Sequence, residues 1–203
     1  MNVKALWNLT YGLYLLTARE FGQDNGCIIN TAVQVAEDPV RISVSVIKGN
    51  KTCGMIQNTG CFNLSAITED ASFDLFTRFG MQSGRTTDKF AGFPHVARSE
   101  NTVYYLTKNS NMYLSCVVQQ EIDLGTHMMF IAEVVDGDVL CDTGCCTYAH
   151  YQSDIKPKPK KAEKTTWVCT VCGYTHEAEE LPDDFVCPLC LHGKKDFVKG
   201  GSE

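Results

Sequence analysis

Two cysteine pairs near the C-terminus restrict this chain more than any other stretch. They are Cys169-Thr-Val-Cys172-Gly173 and Cys187-Pro-Leu-Cys190, with fourteen residues between them. Each pair sets two thiolates on one tight turn, and two such turns face to face make a tetrahedral cage of four sulfurs that suits zinc or iron. Gly173, directly after the second cysteine, permits a positive φ that aims backbone N–H groups at the sulfurs. A module of about 35 residues is too small to fold on burial alone, so the metal is expected to supply much of its stability.

The other seven cysteines, at positions 27, 53, 61, 116, 141, 145 and 146, are scattered, odd in number and mostly within apolar runs. That pattern fits reduced thiols in a cytoplasmic protein better than a secreted disulfide scaffold. The apolar stretch before Arg19 is interrupted by Asn8, Thr10 and Gly12 and lacks a small-residue cleavage site, so no signal peptide is expected. No run of about 18 apolar residues exists, which argues against a spanning helix. A net charge of −6 makes nucleic acid a poor partner.

Read in order, residues 3–9 suggest a short helix, Leu13 to Ala18 a strand, Asp24-Asn25-Gly26 a turn, and Gly26 to Val35 a second strand. Val40 to Ile47 alternates as a half-buried strand does, with Ile42, Val44 and Val46 on one face. Lys51 to Asn58 reads as a helix ended by Thr59-Gly60, Cys61 to Ile67 as a strand, and Ser72 to Gly80 as a helix with Phe73, Phe76 and Phe79 three apart. Met81 to Pro94 is a long polar loop, a place where function concentrates. Short strands are expected near 103–107, 112–120, 126–135 and 139–142, the last two parted by a turn at Asp136-Gly-Asp138. This pattern is mainly β with a few helices, and argues for a barrel over residues 1–153. Residues 154–164 form a Lys/Pro-rich linker with a reach of roughly 30 Å, and 165–203 form the metal domain.

The run Leu181-Pro-Asp-Asp-Phe-Val-Cys187-Pro-Leu-Cys190, followed by Lys194-Lys-Asp-Phe197, resembles the second half of a rubredoxin, and Trp167-Val-Cys169 to Tyr174 resembles the first. The short segment between the pairs is closer to the rubredoxin-type module of rubrerythrins. The resemblance implies one iron held by Cys169, Cys172, Cys187 and Cys190, shielded by Trp167, Tyr174, Phe185 and Phe197. Leu191 stands where a second glycine is usual, which raises a question about hydrogen bonding to the last sulfur.

The first 150 residues resemble the flavin reductase family, the FMN-binding split barrels. The resemblance rests on Tyr11-Gly-Leu-Tyr14, Cys27-Ile-Ile-Asn30-Thr31-Ala32, Ser43 through Ile47-Lys48-Gly-Asn50-Lys51-Thr52, Phe62-Asn-Leu-Ser65, Ser83-Gly84-Arg85 with Asp88-Lys89-Phe90, and Gly125-Thr-His127. It implies FMN at a homodimer interface. The flavin ring would lie along Asn30, Thr31, Ala32 and Val46, and its phosphate near Lys48, Asn50, Lys51, Thr52, Ser83, Gly84, Arg85 and Lys89. His127 falls at the family's Gly-Asp-His, with Thr126 in place of the acid.

A flavin barrel, a tether and a rubredoxin in one chain resemble the high-molecular-weight rubredoxins of anaerobes. The expected function is an oxidoreductase of flavin reductase type. Electrons would pass from NAD(P)H, directly or through a separate reductase, by way of FMN to a four-thiolate iron. They would then go to an acceptor such as a flavodiiron oxygen or nitric oxide reductase. The alternative from a different class is an FMN-binding protein with a structural zinc ribbon and no turnover.

Overall fold

A computed structural model describes residues 2–157 and 165–200. The chain divides into two compact units, Met1–Pro157 and Lys158–Glu203.

The first unit opens with a 3₁₀ turn, Val3–Asn8, followed by β1 (Tyr14–Glu20) and β2 (Gln23–Ile29). These two strands form a hairpin whose turn is Phe21-Gly22, with Glu20 opposite Gln23. The turn is therefore not at Asp24-Asn25-Gly26. Phe21 and Gly22 both take positive φ, 47° and 80°, as a two-residue turn matched to strand twist requires. Asn25 lies inside the strand, buried.

β3 (Val33–Glu37) and β4 (Val40–Ile47) follow, then α1 (Lys51–Thr59), β5 (Cys61–Ile67) and α2 (Phe73–Gly80). Asn50 caps α1 by accepting from the Thr52 N–H at 3.2 Å. Gly60 closes the helix in the left-handed conformation, φ 69°, which is the residue type such a stop favours. In α2, Leu75, Phe76 and Phe79 face inward. The long loop after α2 leads to a small hairpin, β6 (Val96–Arg98) and β7 (Tyr104–Leu106), of which the sequence reading found only the second strand.

Two long strands complete the sheet, β8 (Ser110–Asp123) and β9 (His127–Val139). The expected turn at Asp136-Gly-Asp138 is instead a continuation of β9. A bulge opposite Ser115/Cys116 takes up the irregularity. Gly137, paired beyond the bulge with Leu114, lies where a Cβ would stand 2.7 Å from the Tyr113 carbonyl oxygen. α3 (Tyr148–His150) runs on into a π-turn, Tyr151–Ile155. Asp154 and Ile155, expected in the linker, thus close the last helical turn of this unit; residues 158–164 of that linker lie outside the described residues.

All seven strands of the main sheet pair antiparallel, in the order β2-β1-β5-β8-β9-β4-β3. The edge strands, β2 and β3, are consecutive in the chain, so Asn30-Thr31-Ala32 crosses the seam of a split barrel. One core fills the barrel with Leu16, Val44, Val46, Phe62, Leu64 and Phe130 among others. A second lies under α2, with Leu15, Phe76, Phe79, Phe90 and Leu106.

The second unit holds a three-stranded sheet. β10 (Thr165–Cys169) lies between β11 (Thr175–Ala178) and β12 (Phe197–Lys199). Cys169, Leu181, Cys187 and Phe197 are buried, with Trp167, Tyr174 and Phe185 packed against them. Phe185 meets Phe197 edge-on at 5.3 Å between ring centres. The aromatic shell expected around the cysteines is therefore present. No described helix is long and apolar enough to cross a membrane.

Candidate metal centre and cofactor cradle

The two cysteine turns are built alike. Cys169 N–H donates to the Tyr174 carbonyl at 2.8 Å, and Gly173 N–H returns to the Cys169 carbonyl at 2.9 Å. In the second turn Cys187 N–H donates to His192 O at 2.8 Å, and Leu191 N–H to Cys187 O at 2.9 Å. Gly173 has φ 74° and Leu191 φ 62°, so leucine holds the left-handed place that glycine fills in the first turn. The hydrogen bonding that Leu191 put in question is intact. The Tyr174 N–H points at the Cys172 sulfur and the His192 N–H at that of Cys190.

All four Sγ atoms lie within 4.8 Å of one another. Cys169 to Cys190 is 3.6 Å and Cys172 to Cys187 is 3.5 Å. A tetrahedron on metal–sulfur bonds of ~2.3 Å has edges of ~3.8 Å, so the cage is the right size for one zinc or iron ion. Burial raises the Cys187 thiol, but the Cys190 and Leu189 amides and the neighbouring sulfurs outweigh it and bring the pKa down to about 7. On Cys172 and Cys190 the Tyr174 and His192 amides pull the thiols down, but burial and the neighbouring sulfurs together outweigh them and leave both raised, Cys190 to about 12, as expected of thiols crowded into one cage. Among the described residues this is the one cluster of metal-ligand type. Cys141 and Cys145 make no second one.

In the first unit, the expected phosphate residues separate into two groups. Asn50, Lys51, Ser83 and Gly84 converge on a depression of about 230 Å³ at the first turn of α1. Lys51 and Gly84 also line an adjoining groove of about 530 Å³ that adds Arg85 and Thr86. The Arg85 guanidinium reaches the Gly49 carbonyl at 3.4 Å. A helix N-terminus flanked by Lys51, Arg85 and the Ser83 hydroxyl is chemistry for an anion.

The other side chains are engaged elsewhere. Thr52 is fully buried, and its Oγ1 accepts from Asn25 Nδ2 at 2.9 Å. Lys48 pairs with Asp123; Lys48 and the Gly125 amide hold that carboxyl below its usual range. Lys89 is buried, and its Nζ donates to the carbonyls of Gly26 and Phe79, each at 2.9 Å. Its expected place beside a phosphate is thereby corrected, because the ammonium is spent inside the unit. Burial lowers its pKa, with Cys27 acting the other way.

Along the seam, Thr31 Oγ1 donates to the Ser45 carbonyl at 2.7 Å and accepts the Ser45 N–H at 3.1 Å. This stitches the β2–β3 connection to β4. Asn30 and Ala32 are half-buried in that connection, and Ala32 lines a depression of about 280 Å³ with Tyr14, Val40 and Leu64. The Val46 side chain lies in the barrel core. His127 pairs opposite Ile47, and its Nδ1 is 2.8 Å from the Thr126 hydroxyl, which takes the place of the family's acid as the ring's partner.

Two contacts went unnoticed in the sequence. A Cβ on Gly84 would overlap the Asn25 amide, so the loop closes directly on β2 there. Arg98 makes a two-pronged pair with Asp24, at 3.0 and 2.8 Å, and lies 3.7 Å from the centre of the Tyr104 ring. Neither contact has a local signal, since the partners are far apart in the chain.

The flavin reductase like domain family matches residues 6–158. The chain belongs to that family. Residues 167–198 match the rubrerythrin, rubredoxin-like domain. The chain is 35% identical to the high molecular weight rubredoxin of Moorella thermoacetica, over 97% of this chain and 99% of that one. It is 32% identical to the ferric-chelate reductase (NAD(P)H) of Archaeoglobus fulgidus, over 78% and 93% of the two chains. The fold is shared with an FMN-binding protein from Thermus thermophilus at a TM-score of 0.60 and 19% identity, covering 86% and 90% of the two chains. Flavoredoxin from Methanosarcina acetivorans aligns at 0.59 and 22% identity, covering 64% and 69%.

This flavin reductase-like chain is an oxidoreductase whose two parts are both of electron-transfer type. A flavin and an iron ion are the groups these families imply, and the anion cradle and the four-sulfur cage are chemically suited to them.

Proposed function

We propose that this protein is a flavo-rubredoxin. It would take electrons from NAD(P)H, directly or through a reductase, and pass them by way of FMN to iron on Cys169, Cys172, Cys187 and Cys190. The acceptor would be of the flavodiiron oxygen or nitric oxide reductase class. The observation that carries this reading is the pairing, in one chain, of a family-matched split barrel with a cage whose sulfurs already accept backbone N–H groups. When bound, flavin takes up a hydride equivalent and releases electrons singly, and four-thiolate iron stores one electron.

The chain's own residues then bind and orient. Asn50, Lys51, Ser83, Gly84 and Arg85 hold the phosphate. Asn30, Thr31 and Ala32 border the ring, with His127 at the start of β9 beside it. Tyr174 and His192 N–H groups stabilise thiolate charge, and Trp167, Phe185 and Phe197 limit water around the cage. The exposed Val33 and Val35 of edge strand β3, with Val40 at the start of β4, support a homodimer, and eleven thiols suit the reducing cytoplasm.

Metal analysis and one visible spectrum of the anaerobically purified chain test this. The expected result is one iron per chain, a red iron–thiolate colour bleached by dithionite, and yellow FMN. Chelation of the iron should remove the red colour and leave the yellow. Zinc in a colourless cage would refute the electron path. Stoichiometric NADH consumption with an iron acceptor distinguishes direct oxidation from a carrier role.

A further inference from the structure

The loop that carries Ser83-Gly84-Arg85 has no strand or helix of its own between Met81 and His95, yet it supplies one wall of the anion cradle. Its far end is fixed inside the unit. Asp88 Oδ1 accepts the N–H groups of Phe90 and Ala91 at 3.0 and 3.2 Å. The Lys89 carbonyl accepts from Arg78 at 3.1 Å. The Lys89 side chain runs inward, 3% exposed, to the carbonyl of Gly26 in β2 and that of Phe79 in the last turn of α2. The second carbonyl lies at the negative end of a helix, where an ammonium is favoured, and both bonds are charge-assisted.

Gly26 is next to Asn25, and Asn25 meets both walls of the cradle. Its Nδ2 donates to Thr52 in the first turn of α1, and its amide abuts Gly84 with no room for a Cβ between them. One short piece of β2 is thus the common reference for helix and loop. Lys89 attaches the loop to that piece.

We propose that Lys89 is a positioning residue for the cradle. Its buried ammonium latches the 81–95 loop to β2 and so sets the spacing of Ser83–Arg85 against the N-terminus of α1, without touching the anion. This rests on the reading of the cradle as the flavin phosphate site.

The test compares FMN with riboflavin, which lacks the phosphate, binding to the full chain by flavin fluorescence. Wild type is expected to favour FMN. Equal affinities would remove the phosphate reading itself, and the inference with it. In Lys89→Met, FMN binding is expected to weaken about tenfold while riboflavin binding stays within about twofold. Lys89→Gln, which retains a donor, is expected to recover part of the loss. Equal losses for both ligands, or an unchanged FMN affinity, would overturn the proposal, as would failure of both variants to fold, since Lys89 would then be a core clamp only. Gly84→Ala, which pushes the same loop off Asn25, is expected to lower the FMN preference too. Combined with Lys89→Met it should add little, because both act through one loop. Additive losses would mean that Lys89 acts on the phosphate directly and would refute the latch.

Discussion

Replacing Leu191 by glycine gives the second cysteine turn the residue type that holds the same left-handed place in the first. Leu191 has φ 62° and is 78% exposed, so its side chain contributes little packing that could be lost. Holding an L-residue in the left-handed region costs about 1–2 kcal/mol. Glycine removes that cost but brings roughly 0.5–1 kcal/mol of extra unfolded-state freedom. The expected net effect of Leu191→Gly is a gain of about 0.5–1 kcal/mol in the metal-loaded second unit. Guanidinium unfolding of the iron-loaded chain, followed at the iron–thiolate absorbance, measures it. The same variant separates stability from redox tuning. The His192 N–H already reaches the Cys190 sulfur, and glycine at the same φ keeps it there. The reduction potential is therefore expected to move by much less than ~60 mV, the shift of a tenfold change in a one-electron couple. A loss of stability, or a potential shift of that size, would refute the argument from the two turns' equivalence.

Two further outcomes follow from the first unit. Gly137→Ala places a Cβ 2.7 Å from the Tyr113 carbonyl and is expected to destabilise by about 1–3 kcal/mol; an unchanged melting temperature would mean that β8 does not approach Gly137 so closely. Burial pushes the Cys27 and Cys116 thiols up to about 11 and about 12, against ~8.5 in an unfolded chain. The folded state then holds these protons more tightly, so stability falls as pH rises above ~8.5 through that window. Lys89, with its lowered pKa, works in the opposite sense. The measurement is accordingly a difference: denaturation from pH 8 to 11 of wild type against Cys27→Ala/Cys116→Ala, which should have the less negative slope. Identical slopes would sink the assignment.

The metal cage was legible because its signal is local: the spacing of each cysteine pair sets its turn with no help from afar. α1 was legible for the same reason, through Asn50 at its start and Gly60 at its end. The β1–β2 turn was misread because Asp24-Asn25-Gly26 has turn composition, whereas Phe21 takes a positive φ that its side chain does not advertise. Only the contacts of Asn25 with Thr52 and Gly84 explain why such a tripeptide lies in a strand. Asp136-Gly-Asp138 misled similarly, because its glycine answers to a carbonyl across the ladder. Lys89 reads, with Arg85, as a phosphate ligand on a polar loop; its carbonyl partners come from β2 and α2, which the sequence does not place next to it. In each case the deciding atom belongs to another element.

The seam has a consequence for folding. β2 and β3 end the hydrogen-bond order at opposite edges, although only Asn30-Thr31-Ala32 separates them in the chain. The ladder does not close between them, and the connecting bridge is instead tied to β4 by Thr31 on Ser45. A flavin ring bordering that bridge would act as a missing rung. It would favour the folded barrel by RT ln(1 + [L]/Kd), about 2.7 kcal/mol at a hundredfold excess over Kd. Cofactor supply would then raise or lower the stability of the barrel by that amount, and flavin-starved cells would hold it with a narrower margin.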